Sequence, residues 1–184
     1  RRPLRNQDAE ELQALYRTLR EEELNHEDAV RFLLARILVS PTFLYRQESP
    51  GKGTEPTPIS DWELATRLSY FLWASSPDDE LRDAAEAGTL HDPDVLAAQT
   101  SRMLHDDRVR RLATEFGCQW LHIYDFDKHD EKSERHFPEF ADLKDDMHEE
   151  AIRFLTDVFQ HDGSILSLLD ADYTFVNEPL AKLY

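Results

Sequence analysis

The chain has 184 residues, 40% of them hydrophobic and 32% charged, with 38 acidic side chains against 21 Lys and Arg and a formal net charge of −17. Nucleic-acid affinity comes largely from Lys and Arg neutralising phosphates, so this balance excludes a nucleic-acid partner and makes an anionic membrane surface equally unfavourable. The single cysteine, Cys118, excludes an internal disulfide, a Cys-pair metal site and the Cys-x-x-Cys-His attachment of covalent haem within the chain.

Length suits one domain or two small ones. Ten Phe, six Tyr and three Trp supply the side chains of a core, while a mean hydropathy of −0.64 implies a heavily solvated surface. No apolar run approaches the roughly 20 residues that cross a bilayer, so no membrane span is expected. Arg1-Arg2-Pro3-Leu4 has no apolar stretch behind it, and an export signal, if the protein has one, is expected upstream.

Periodicity predicts helices in chain order. After Asn6, a favourable N-cap, Leu12, Leu15, Tyr16 and Leu19 recur at helical spacing. A second helix follows Asn25, with Glu27 and Asp28 at the positive end of its dipole and a stripe of Val30, Leu33, Leu34, Ile37 and Leu38. Pro41 stops it, and Phe43, Leu44 and Tyr45 are expected to tuck back against both helices. Residues 48–58 are a Pro- and Gly-containing linker by composition, dividing a small helical domain at 1–47 from a larger one at 59–184 that the chain end truncates.

The larger domain opens with a capping box, Ser60 and Glu63, ahead of Leu64, Leu68, Phe71 and Leu72. Ser76-Pro77 and Asp92-Pro93 repeat the start signal, and Gly88 suits the position after a helix end. A long helix over about 108–123 places Val109, Leu112, Ala113, Phe116, Trp120 and Leu121 on one face. Gly117 in that stripe costs roughly 1 kcal/mol relative to alanine, which implies a closely crossing neighbour. The longest helix covers about 139–161, with Leu143, Met147, Ala151, Phe154, Val158 and Phe159 inward and Gly163 ending it. Ser164 suits a short helix, residues 170–176 look extended, and Asn177 with Pro179 announces a last helix. Strand alternation is missing, so the fold class is all-α, an irregular multi-helix bundle.

Several residue groups invite chemistry. The stretch 122–136 carries carboxylates and imidazoles, and His129, Asp130 and His136 are its candidate metal ligands. It lacks the order of a calcium loop, and Lys128, Lys132 and Arg135 interrupt it, as in a solvated surface loop. Glu23-Leu-Asn-His26 matches the Glu-x-x-His spacing of di-metal bundles, but Asn25 as an N-cap would put His26 in the next helix. Cys118 and His122 share a helical face, which suits either a thiolate pair or a buried structural thiol. Asp170, Asp172 and Tyr173 form a candidate functional turn: paired carboxylates serve acid–base chemistry, and the same residues anchor connections through Asx hydrogen bonds. No residue is assigned a catalytic or cofactor-binding role.

Long segments carry a family resemblance. Leu15-Tyr16 and Ala35-Arg-Ile-Leu-Val-Ser-Pro-Thr-Phe-Leu-Tyr-Arg46 resemble one helical domain of unknown function, family 1595. The run from Glu63 to Leu81, Gln119-Trp-Leu121, Phe137-Pro-Glu-Phe140 and the run from Leu168 to Asn177 resemble a second, family 1592. In tandem these accompany planctomycete-type cytochrome c domains in large exported bacterial proteins. The resemblance implies a segment of an exported, periplasmic or extracellular protein with c-type haem elsewhere in the polypeptide and none in this segment. Its partners would be the other domains of that polypeptide and a partner protein. Two functions fit this context: a non-catalytic helical scaffold or interaction module that supports electron transfer, and part of a haem-linked oxidoreductase acting on an extracellular, carbohydrate-type substrate.

Overall fold

A computed structural model describes residues 3–46, 48, 57–128, 133 and 135–184. Local capping chemistry sets where its helices start. Helix α1 (Asn6–Glu21) begins one residue earlier than its sequence suggests, because the Arg5 N–H donates to the Asp8 carboxylate at 3.0 Å and Arg5 becomes the N-cap. Asn25 caps α2 (His26–Leu38), accepting from the Asp28 N–H at 2.9 Å, and Ser40 caps the single turn α3 (Pro41–Leu44). The Ser60–Glu63 capping box opens α4 (Asp61–Trp73), which ends in Ala74 at a left-handed φ of 49°. Asp78, rather than Ser76-Pro77, caps α5 (Asp79–Glu86), and Gly88 follows its end at φ +67°. Asp92 caps α6 (Pro93–Leu104).

A continuous helical stretch then changes pitch along its length. A 3₁₀ turn (Asp107–Val109) leads into α7 (Arg110–Leu112), a π segment (Ala113–Gly117) and α8 (Cys118–Trp120). A second 3₁₀ turn (Phe126–Lys128), the long α9 (Phe140–Gln160), α10 (Ser167–Asp170) and α11 (Glu178–Leu183), capped by Asn177, complete the chain. After α9 the left-handed residue is Asp162, at φ 50°, and not Gly163. No strand occurs among the described residues, and the fold is all-α.

Two apolar clusters hold residues 59–184 together. The first joins α4, α5, α6 and α7 through Ala65, Leu72, Trp73, Leu81, Leu90, Met103, Val109 and Leu112. Trp73 is its centre: its indole N–H donates to the Met103 carbonyl at 2.9 Å, and the Arg108 and Arg102 guanidinium groups lie over its ring. Both arginines also reach Asp78, the cap of α5, so one polar network ties four helical elements around a buried ring. The second cluster packs Ala113 and Cys118 against Ile152 and Leu155 of α9. A Cβ on Gly117 would lie 2.7 Å from Leu155 Cδ1, which is the close crossing that a glycine in this stripe implies.

The N-terminal hairpin is less well covered. Leu12, Leu15, Tyr16 and Leu19 of α1 are half-buried against α2, where Ala29 is buried, and the Tyr16 hydroxyl meets His26 Nδ1 at 2.8 Å. Of the α2 stripe, Val30 and Leu33 are half-buried, whereas Leu34, Ile37 and Leu38 are exposed. Phe43, Leu44 and Tyr45 do not tuck back as expected. Ser40 caps a new helical turn at that point, and the chain winds into α3 with all three side chains exposed.

Candidate functional site

The 122–136 loop does not assemble a metal site from the residues that can be described. His129 and Asp130 lie outside them, and His136 is exposed, its backbone N–H donating to the Ser133 carbonyl at 2.9 Å. Among the described residues no group of three His, Cys, Asp or Glu side chains could hold a metal ion. Glu23 sits in the turn between α1 and α2 at φ 66°, while His26 opens α2, so the Glu-x-x-His spacing never falls on one helix.

Cys118 is buried, but its imidazole neighbour is His148 of α9, with Nε2 3.7 Å from Sγ, and not His122. His122 lies beyond the end of α8 at φ 58° and is exposed. Burial pushes the Cys118 thiol above its ordinary pKa, although the Arg110 charge works the other way. That is the reverse of the thiolate stabilisation a nucleophilic cysteine requires.

The turn after α10 is held by Tyr173 and not by its carboxylates. The Tyr173 hydroxyl donates to Asp157 of α9 at 3.0 Å, and the Thr174 and Tyr184 hydroxyls both donate to Glu150. Asp170 and Asp172 are exposed and make no side-chain hydrogen bond among the described residues. The segment 171–184 is therefore a strap docked on α9 by hydroxyl-to-carboxylate bonds. The hydrogen bond to Glu150, with burial adding to it, pushes the Tyr184 phenol up to about 12.

Sequence periodicity missed the feature that stands out in the structure. An α-helical register from Val109, Leu112 and Ala113 puts Phe116 and Trp120 on the buried face. The π segment inserts one extra residue, which rotates everything after it by about 100°. Gly117 and Cys118 take the buried face instead, and Phe116 and Trp120 are 50% and 55% exposed. Their rings lie 6.4 Å apart and are parallel to within 7°. Gly117 sits close against Leu155 in this register, where an added Cβ would lie 2.7 Å from Leu155 Cδ1 and the leucine would have to shift.

Phe116 and Trp120, with Glu115 and Gln119, form one wall of a groove of about 1520 Å³. The facing side comes from the outer surface of α4, with Trp62, Tyr70 and Phe71, and from Leu4, Arg5, Tyr45 and Arg46 near the ends of the N-terminal hairpin. Arg46 lies over the Tyr70 ring, 4.9 Å from its centroid. Arg67 donates to both carboxylate oxygens of Glu48 at 2.5 and 2.6 Å, and this hydrogen-bonded pairing holds the Glu48 carboxyl below its ordinary range. Pockets for small molecules commonly enclose about 300–1000 Å³. The larger size and the aromatic walls suit a polypeptide segment better than a metabolite.

Known families share this sequence. The family described as Protein of unknown function (DUF1592) matches residues 59–184, and that described as Protein of unknown function (DUF1595) matches residues 1–48. No curated protein and no solved structure matches the chain.

Proposed function

The chain belongs, through residues 59–184, to the DUF1592 family of proteins of unknown function, and from that premise we propose that it is a non-catalytic helical interaction module that holds neighbouring domains or a partner protein in place. The observation that carries this reading is the surface. A compact monomer of 21.5 kDa exposes about 9200 Å² by the usual scaling with mass, whereas this chain exposes 13368 Å². Among the described residues, large apolar side chains close together in sequence contribute to it, as in Leu34, Ile37, Leu38, Val39, Phe43, Leu44 and Tyr45. Monomers in water rarely leave such stretches uncovered, because each large side chain left half-exposed forgoes roughly half of the about 1.5–3 kcal/mol that full burial gives.

The setting we propose is an exported protein that carries a c-type cytochrome domain, this segment supporting its electron transfer by fixing domain geometry. The polar groups described above serve caps, the Trp73 network and the docked strap, which supports a structural role over a reaction. Hydrogen exchange on this chain alone and within its parent polypeptide tests the reading. Amides of α2 and α3 should exchange quickly in the isolated chain and become protected by an order of magnitude or more in the parent. Equal exchange in both states would sink it. Iron or a Soret band retained by the isolated chain would instead favour a part in haem-linked catalysis.

A further inference from the structure

We infer that the groove between α4 and α8 receives a cationic, apolar peptide segment from a partner protein, with an Arg or Lys side chain laid on the Trp120–Phe116 platform and paired to Glu115. This rests on the interaction-module reading and names the partner chemistry of one surface within it. The first support is the π segment. Such bulges interrupt helical hydrogen bonding and are concentrated at functional sites. Here the bulge turns two parallel aromatic rings out of the core and into a groove. Large aromatic side chains are more stable buried, so leaving two of them half-exposed side by side costs stability that a bound segment would recover.

The second support is charge chemistry already at work in the same groove. This chain's own arginines satisfy the α4 side: Arg46 stacks on Tyr70, and Arg67 pairs with Glu48. The α8 wall repeats those elements, an aromatic face beside a carboxylate. Among the described residues, however, Glu115 and Gln119 make no hydrogen bond or ion pair, and no cation lies on Trp120 or Phe116. A guanidinium or ammonium over Trp120 would gain cation–π attraction and the Glu115 counter-charge together. The net charge of −17 steers a basic segment towards the chain and repels an acidic one. Apolar side chains flanking the cation would lie against Phe71 and Trp62, in the manner of peptide anchors in hydrophobic grooves.

The test is a calorimetric titration of the whole chain with a synthetic leucine–arginine peptide of about twelve residues, beside a twin in which citrulline replaces every arginine. The arginine peptide should bind, and the citrulline twin roughly tenfold more weakly or not at all. Trp120→Ala and Glu115→Gln should each weaken the arginine peptide by roughly three- to tenfold. Asp83→Asn, which removes an equal charge from exposed α5 outside the groove, should leave affinity unchanged. Equal binding of the twin, unchanged binding by both groove variants, or the same loss with Asp83→Asn would overturn the inference. So would sedimentation showing a dimer that Trp120→Ala dissociates, because a second copy would then fill the groove. Circular dichroism confirms that each variant is folded. Protection of α2 in the parent combined with no arginine-selective binding removes this inference and leaves the module reading intact.

Discussion

The Arg108 guanidinium carbon lies 3.4 Å from the centroid of the buried Trp73 ring, and the same guanidinium pairs with Asp106 at 2.7 Å and Asp78 at 3.4 Å. One planar cation thus covers an aromatic face and binds two helix-capping carboxylates at once. Lysine has neither the planar face nor the forked donors to do this. Arg108→Lys should lower stability by roughly 1–2 kcal/mol in urea titrations, through loss of both the stacking and the paired hydrogen bonds. Arg31→Lys, at the exposed pairs with Glu27 and Asp28, should change it by less than about 0.5 kcal/mol. Equal losses at the two positions would show that stacking on Trp73 contributes nothing.

The same network makes stability depend on acid. The Arg108 hydrogen bonds hold the Asp106 carboxyl down at about 2, against an ordinary value of about 3.9. A depressed folded-state pKa means that the unfolded chain binds the proton first. The stabilisation is therefore complete above about pH 4 and is lost as pH falls towards 2. Linkage bounds its size at about 2.5 kcal/mol, less what solvent screening removes at this partly exposed carboxylate. Asp106→Asn should be less stable than the parent chain at pH 7, and the gap should close by pH 2. Thermal melts across that range check it, and a gap independent of pH would contradict it.

Gly117 should tolerate no branched side chain. A Cβ there already meets Leu155 Cδ1 at 2.7 Å, and Leu155 is buried. Gly117→Val should cost about 1–3 kcal/mol, the usual penalty of overpacking. Leu155→Ala costs stability alone, but combining it with Gly117→Val should cost less than the sum, because the new side chain fills the space that Leu155 leaves. Strict additivity of the two in a double-mutant cycle would mean that the contact does not set the packing.

The docked strap answers to alkali. With the Tyr184 phenol raised to about 12 by its bond to Glu150, the folded state holds that proton more tightly than an unfolded chain with an ordinary phenol near 10. The contribution is complete below pH 10 and declines as pH rises towards 12. Glu150→Gln removes the carboxylate that accepts from both Thr174 and Tyr184. It should bring the Tyr184 titration, followed by ultraviolet absorbance, back towards the ordinary range and speed hydrogen exchange across α11. An unmoved phenol titration would show that Glu150 does not hold the strap.

The all-α class, the starts of α2, α4, α6 and α11, and the glycine that ends α5 could be read from the chain because they depend on neighbours within a few residues. Asn25, Ser60, Asp92 and Asn177 each bond an N–H two or three positions ahead, so the signal and the structure occupy the same short window. Gly117 as a crossing point and Cys118 as a buried thiol were legible for a similar reason, being small residues on an apolar face. What failed was the face of the helix from Phe116 onward. A regular period carried Phe116 and Trp120 into the core, whereas a π segment, with Gly117 packed against Leu155 38 positions away, turns them outward.

The sequence by itself therefore determined the helical class and most of the caps, since these follow from apolar periodicity and from hydrogen bonds between near neighbours. Only the tertiary structure decided which apolar faces are left uncovered, where the aromatic groove lies, and that Cys118 meets His148 while the strap is held by Tyr173, Thr174 and Tyr184. Those outcomes depend on close packing between segments distant in the chain, where a shift of one residue in register exchanges a buried side chain for an exposed one.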